Sequence, residues 1–501
     1  MARSARVAAV LFSSLVFAVC VYRAATQSLA HDEALTYRIF LAGPASNIFT
    51  FYDANHHFLA TILMRLSTAL LGSSEFAVRL PSLAGAALYC WVAFRLSLAL
   101  FPGSLAAVWS VLVLATNPLL LDFLVAARGY GLAVALYYYS LWLLLTYLTA
   151  ERKLSILYQA AVAVSCSVMA NMTMVFPAFL LAVAFLATLP RPTPSEQPGK
   201  RARYRAGKSP ARFTEMAHFV GPVFGCALVY WMAAPLTQVE GTMFQQPTTS
   251  IVDSVNSLVR ASHAHNSGLS GINADGPVRQ RWLQASALVL YPAVLLAAIV
   301  CALRSRQRRP ARYVLIWSTT ATAGSLLLYL LMHRAVRWPY PADRTGVYLL
   351  ALFALVLVSL AAVLRSETSR WRFAAWPCLF FGGLLAASHI AQFNWTRFYV
   401  WPYDADDKRI VSRLESLRAG SGAPLNVGIS WQLEPSFNYY RHSRNLTWLP
   451  PFDRSGPRGE HDYYVLIGSD RSLAGERYLE ILYEGPNSGT LLARSRQQSR
   501  P

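Results

Sequence analysis

The sequence predicts an all-α polytopic membrane protein of about eleven transmembrane helices with a small α/β domain at its C-terminal end. Three observations predict it. The 501 residues are 55% hydrophobic and only 14% charged, where a soluble chain of this length is about one-quarter charged. Apolar runs long enough to cross a hydrocarbon core of about 30 Å recur from residue 7 to residue 391. Lys and Arg gather in every second loop between those runs.

The runs fall near 7–25, 76–99, 103–121, 129–149, 155–172, 174–190, 215–235, 282–303, 312–332, 346–364 and 373–391. Helices are expected for all of them, because backbone amides find no partner in lipid outside a helix or a closed barrel. With the N-terminus inside, the cytoplasmic loops read Glu151-Arg152-Lys153, then Arg191 to Arg212, Arg304 to Arg312, and Arg365 to Arg372. These hold most of the basic residues of the membrane half, and an odd number of crossings leaves the tail outside. The basic stretch Met1 to Arg6, the apolar run and Ala24-Ala25 also fit a cleaved signal peptide. Either reading leaves the downstream topology unchanged.

The 45 Lys and Arg against 25 Asp and Glu give a formal charge of +20. These basic residues lie between apolar runs rather than on one domain, which argues for topology and against a nucleic-acid partner. The six cysteines sit in or beside apolar stretches, without metal-ligand spacing, and read as small buried residues.

Residues 1–392 form the expected membrane domain. It includes a first outer loop, 27–75, with amphipathic stretches at Ala34–Leu41 and Phe58–Leu71, the latter suited to the membrane interface. A Pro-rich, basic cytoplasmic linker is expected at 191–213 and a polar outer loop at 238–281. Residues 393–501 form the expected extracytoplasmic domain, with strand-like runs Leu425–Ile429, Tyr463–Ile467 and Thr490–Ala493 and a helix-like run at Lys408–Leu417. Trp431, Tyr439, Tyr440 and Trp448 in it read as core or as surfaces for sugar rings.

Candidate chemistry clusters on the outer side. In His31-Asp32-Glu33, two adjacent acids follow the first helix at the membrane surface, where desolvating charge is costly. A carboxylate there can take a proton from an attacking hydroxyl, or can complement the start of an interfacial helix. His56 and His57, in Asn55-His56-His57, can bind a metal or supply hydrogen bonds, but no spaced ligand set accompanies them. Arg79, Arg128 beside Tyr130, and Arg344 after Arg334 and Arg337 all fall on the outer face. They either snorkel or grip a lipid-linked phosphate. Asp122 is placed as a partner of Arg128 or a second catalytic carboxylate.

The acid pair in a long outer loop, the Asn-His-His stretch, Ser74-Glu75-Phe76-Ala77-Val78-Arg79-Leu80-Pro81-Ser82 and Ala127-Arg128-Gly129-Tyr130 together resemble the GT-C polyprenyl-phosphate-sugar glycosyltransferases. The nearest style is that of glycosyltransferase family 39, the protein O-mannosyltransferase and lipid A aminoarabinose transferase superfamily. The resemblance covers roughly residues 1–365. It implies a sugar on a polyprenyl phosphate as donor and inverting transfer on the outer face. The acceptor is a protein, lipid or glycan, and membrane lipid surrounds the enzyme. Asp32 matches the family's general base, with Glu33 in support. Arg128 matches the arginine that contacts the donor phosphate, and Arg79 and Arg344 lie near the cleft. Where the family often shows His-Pro this chain has His56-His57-Phe58, which leaves the histidines' role open. The resemblance implies no resident metal or other cofactor. A transporter or flippase of lipid-linked sugars is the alternative, and predicts charged or broken helices in mid-membrane. A third reading, an assembly protein, predicts that the first outer loop tolerates substitution.

Overall fold

The structure, a computed structural model, describes residues 2–150, 152–189, 212–238, 248, 250–263, 265, 277–305, 309–367, 370–421 and 424–496. Most of the expected linker 191–213 and much of the outer loop 238–281 lie outside the described residues.

The chain opens with α1 (Ala2–Thr26), then the short α2 (His31–Thr36), which runs into a π-helical turn at Tyr37–Leu41. α3 (Asn47–Thr50) and α4 (Phe58–Leu71) complete the first outer segment. α5 (Glu75–Leu100), α6 (Ala106–Ala115), α7 (Pro118–Val125), α8 (Tyr130–Thr149), α9 (Leu154–Ala170) and α10 (Val175–Thr188) follow. Then come α11 (Arg212–Ala233), α12 (Ile251–His263), α13 (Pro277–Arg304), α14 (Pro310–Val336), α15 (Val347–Ser366) and α16 (Ala375–Ala391).

Among the described residues eight helices are long and apolar enough to cross a membrane, and the bent pair α6–α7 makes nine. The 17-residue α9 and the helical stretch Met172–Thr188 sit at the lower limit of length for a crossing. Each of the eleven apolar runs of the sequence is therefore helical, and the protein is a multi-pass membrane protein. The run expected near 103–121 is not one straight span: it breaks, and its halves meet at 66°. Pro118 disfavours helix at the residue before it. Asn117 uses the break to cap α7, accepting from the Leu120 N–H at 3.1 Å.

The tail carries α17 (Asp407–Ser421), β1 (Val427–Ile429), α18 (Glu434–Ser443), β2 (Tyr463–Leu466), α19 (Leu473–Glu476), β3 (Glu480–Glu484) and β4 (Leu491–Arg494). The sheet order is β1-β2-β4-β3, with β1 and β2 parallel and the other pairs antiparallel. The parallel pair needs a crossover, which α18 supplies. Neither α18 nor β3 is expected from the sequence. β3 is an edge strand with both end residues exposed, so it lacks an alternating apolar signature. Tyr439 and Tyr440 are core residues, whereas Trp431 is 46% exposed.

The tail packs on the first outer segment. Tyr440 Oη accepts from the Leu29 N–H at 2.9 Å, and Tyr439 Oη donates to the Ser73 carbonyl at 2.7 Å. The Tyr37 and Tyr439 rings meet edge to face at 4.9 Å. Lys408 Nζ lies 2.9 Å from Glu75.

Candidate active site

The sequence around His31-Asp32-Glu33 begins a helix because Ala30 is extended and Glu33 reaches back to accept its N–H at 2.8 Å. Glu33 is fully buried, and its other bonds hold two more elements. Arg79 of α5 donates from Nε to Oε1 at 2.9 Å and from Nη2 to Oε2 at 2.6 Å. The Ala127 N–H donates to Oε1 at 2.7 Å. Four donors fill the four acceptor positions of one carboxylate. Glu33 therefore locks α2 to α5 and to the turn before α8, and it offers nothing to a substrate.

Arg79 is also fully buried, and it spends its remaining donors on the carbonyls of Gln27 at 2.8 Å, Ser28 at 2.7 Å and Ala24 at 3.3 Å. All five N–H groups are engaged. This guanidinium is a structural tie, with every donor engaged inside the protein.

Asp32 is held differently. Both guanidinium contacts go to Oδ2, from Arg344 Nη1 and, at 3.5 Å, from Arg128 Nη2. Oδ1 makes no hydrogen bond among the described residues. The Arg344 side chain is 30% exposed while that of Arg128 is 1% exposed, so the cluster opens outward past Arg344. Asp343, just before it, has a left-handed backbone (φ 43°), unusual for a residue with a side chain. Ser257 of α12 fixes it there by accepting from the Asp343 N–H at 2.7 Å and donating to its carboxylate at 2.5 Å.

Arg128 is placed by a turn that only glycine permits. Gly129 has φ +70°, and a Cβ there would lie 2.3 Å from the Ala170 carbonyl oxygen. The remaining contacts of Arg128 are long: Thr36 Oγ1 at 3.3 Å and the carbonyls of Asp32 and Asn55 at 3.5 Å, with Nε unpaired. Burial, the largest influence, presses down the pKa of this guanidinium. Such a loosely satisfied buried cation is suited to an incoming phosphate.

His56 and His57 lie beside this cluster, also buried. His56 stacks on Phe40 at 4.7 Å, and His57 stands edge-on to Tyr130 at 5.2 Å. Asn171 Oδ1 accepts from Thr173, which orients its amide to donate to His57 Nδ1 at 3.2 Å. The ring proton of His57 then sits on Nε2, and neither this nitrogen nor His56 Nε2 has a partner among the described residues. Burial lowers the His56 pKa to about 4 and pushes that of His57 well below the ordinary range, so both rings are neutral at pH 7.

Asp122 does not partner Arg128. Its Oδ1 accepts from Arg23 Nη2 at 2.6 Å, and its Oδ2 accepts from the Tyr399 N–H at 2.8 Å and meets His265 Nε2 at 2.9 Å. The bend before α7 turns it toward the end of α1 and the tail. The Arg23 guanidinium lies 5.4 and 5.2 Å from the rings of Phe393 and Phe398. Sequence reasoning missed Arg23 and His265 as partners. Nothing local in the sequence links either residue to Asp122. Among the described residues no group of three or more His, Cys, Asp or Glu converges as a metal site.

Residues 55–197, which contain His56, His57, Arg79, Asp122, Arg128 and Tyr130, match the family model of dolichyl-phosphate-mannose-protein mannosyltransferase. The resemblance to GT-C glycosyltransferases drawn from the motifs is borne out by that match. The chain is similar to ArnT from Cupriavidus metallidurans, whose structures in the apo state and bound to undecaprenyl phosphate each align with 14% identity and a TM-score of 0.43, covering 97% of both chains. It is also similar to the oligosaccharyltransferase of Archaeoglobus fulgidus, solved in complex with Zn and sulfate, with 13% identity and a TM-score of 0.42, covering 97% of this chain and 73% of that one. A comparison with curated proteins found no match.

Proposed function

We propose that this protein is a glycosyltransferase of the bacterial inner membrane that moves a sugar from a polyprenyl-phosphate donor to an acceptor hydroxyl on the extracytoplasmic face. One observation carries the reading: a carboxylate with Oδ1 open and Oδ2 held by Arg128 and Arg344, on the helix that follows the first span.

Asp32 Oδ1 takes the proton of the acceptor hydroxyl as that oxygen attacks the sugar's anomeric carbon. The bond from that carbon to the phosphate oxygen breaks with inversion. The polyprenyl phosphate leaves with the electron pair, its added negative charge met by Arg128 and Arg344. The proton on Asp32 then passes to water. His56 and His57, neutral and each with an unpaired ring nitrogen, hydrogen-bond to sugar hydroxyls beside Tyr130. Glu33, Arg79 and Asp122 hold this arrangement without touching substrate. The reading also takes the N-terminus as cytoplasmic and the tail as extracytoplasmic, which puts the site at the leaflet where a lipid-linked sugar is presented.

Mass spectrometry of glycans and glycolipids in a deletion strain tests the reading. A sugar present in wild type, missing in the deletion, restored by the intact gene and not by an Asp32→Asn gene is the expected result. Identical profiles in wild type and deletion would remove the enzymatic reading.

A further inference from the structure

The residue before Asp32 is gripped by the tail at two points. The His31 N–H, one of the first-turn donors that a helix leaves unpaired, donates to Asp404 Oδ2 at 2.6 Å. The His31 ring donates from Nδ1 to the Gln432 carbonyl at 2.6 Å. Asp404 lies in a 3-10 turn, Pro402–Asp406, that leads into α17, and it is 2% exposed. Among the described residues no arginine or lysine pairs with it. Asp404 Oδ1 and Asp407 Oδ1 are both buried without a hydrogen-bond partner among the described residues. Asp407 is fixed in turn by the Ser436 hydroxyl of α18. Burial and the neighbouring acid both hold the Asp404 carboxyl well above the usual carboxylate range.

The reaction already described makes no use of this acid pair, yet it is built against the helix that carries the base. Ser436 donates to Asp407 at the start of α17, and Asp404, in the turn just before it, accepts the His31 N–H. Glu33 anchors α2 from one side through α5, and Asp404 anchors it from the other through the tail. Asp32 lies between these two anchors.

We propose that Asp404 is a positioning residue for the transfer reaction, holding the first turn of α2 through the His31 N–H so that Asp32 stands against Arg128 and Arg344. The inference rests on the glycosyltransferase reading for its consequence in turnover, and on the hydrogen bond alone for its effect on the helix.

Two measurements on the full-length protein in detergent or nanodiscs separate these levels. The first is amide hydrogen exchange over residues 30–41, read without substrate. Asp404→Ala should raise exchange there by about tenfold or more, while Asp404→Asn, whose side-chain oxygen still accepts from His31, should leave it near wild type. The second is in-cell product, by mass spectrometry, beside affinity for undecaprenyl phosphate. Asp404→Ala should lose about 10- to 100-fold of product, with undecaprenyl phosphate affinity within about threefold of wild type because Arg128 and Arg344 remain, and Asp404→Asn should restore product. Unchanged exchange in Asp404→Ala overturns the proposal whatever the activity. Loosened exchange with full product overturns it too, while leaving the transferase reading intact. No difference in glycans between wild type and deletion counts against the transferase reading, and the exchange measurement still decides whether Asp404 holds the helix.

Discussion

Asp32 and Glu33 are adjacent in the chain and opposite in partnership: four donors saturate Glu33, whereas Asp32 keeps Oδ1 open and shares Oδ2 between two arginines. The two acids should therefore fail differently. Asp32→Asn should lower transfer by about 10²- to 10⁴-fold, the range for a general base, with a smaller fall in melting temperature than Glu33→Gln, because the Asp32 carboxylate has fewer partners and Arg344 is partly exposed. Glu33→Gln should act mainly on stability, because a neutral amide breaks a buried ion pair. Melting curves and in-cell product, measured side by side, separate the two. Equal thermal losses in both variants would contradict the division of roles.

Arg79 offers the complementary case. Removing one partner of a buried pair leaves the other charge uncompensated, at a cost of about 3–5 kcal/mol. Arg79→Ala should therefore accumulate poorly or melt well below wild type. Lys should not rescue it, since five donors in a planar fork reach Glu33 and three carbonyls where an ammonium has three. A well-folded Arg79→Lys protein with normal melting would show that the fork is dispensable.

Arg128 and Arg344 should instead act on the reaction. Substituting either by Gln should reduce turnover by about 10²- to 10³-fold, as for loss of one donor to developing charge. Because Arg344 is the more exposed, its variant should melt closer to wild type. Undecaprenyl phosphate binding, followed by fluorescence or calorimetry, should weaken in both. Unaltered binding in both variants would detach these arginines from the phosphate.

The histidines set a pH dependence of stability. His56 has a folded-state pKa near 4 against an ordinary value of 6.5, so the unfolded chain binds more protons between those values. Its contribution is full above pH 6.5 and is lost as pH falls from 6.5 toward 4, by up to about 3 kcal/mol. His56→Gln should flatten the acid side of a melting-temperature profile. An unchanged slope would mean that the ring is protonated in the folded protein.

Much of the membrane half was legible because a span is a composition signal: about 20 apolar residues must recur, and each of the eleven runs became helix. The 66° break was readable only in hindsight from Thr116-Asn117-Pro118, since hydropathy does not register direction. Asp32, Arg128 and Arg344 are brought together as their positions at the outer helix ends implied. Arg79 and Asp122 carried the same signal and went elsewhere, because a charge at a helix end looks alike whether it waits for a ligand or has five partners. Asp404 was invisible for another reason. Its partner is the backbone of His31, and a main-chain N–H leaves no trace in composition.

The contacts that seat the acid-bearing helix join parts of the chain that are far apart in sequence. His31 meets Asp404 and Gln432 across separations of 373 and 401 residues, and Leu29 meets Tyr440 across 411. During synthesis the first helix enters the bilayer long before these partners leave the ribosome. The nascent chain therefore carries Asp32 without these supports until residues 404–440 have been made. A chain cut before Asp404 would keep its apolar spans and lose all three of these contacts.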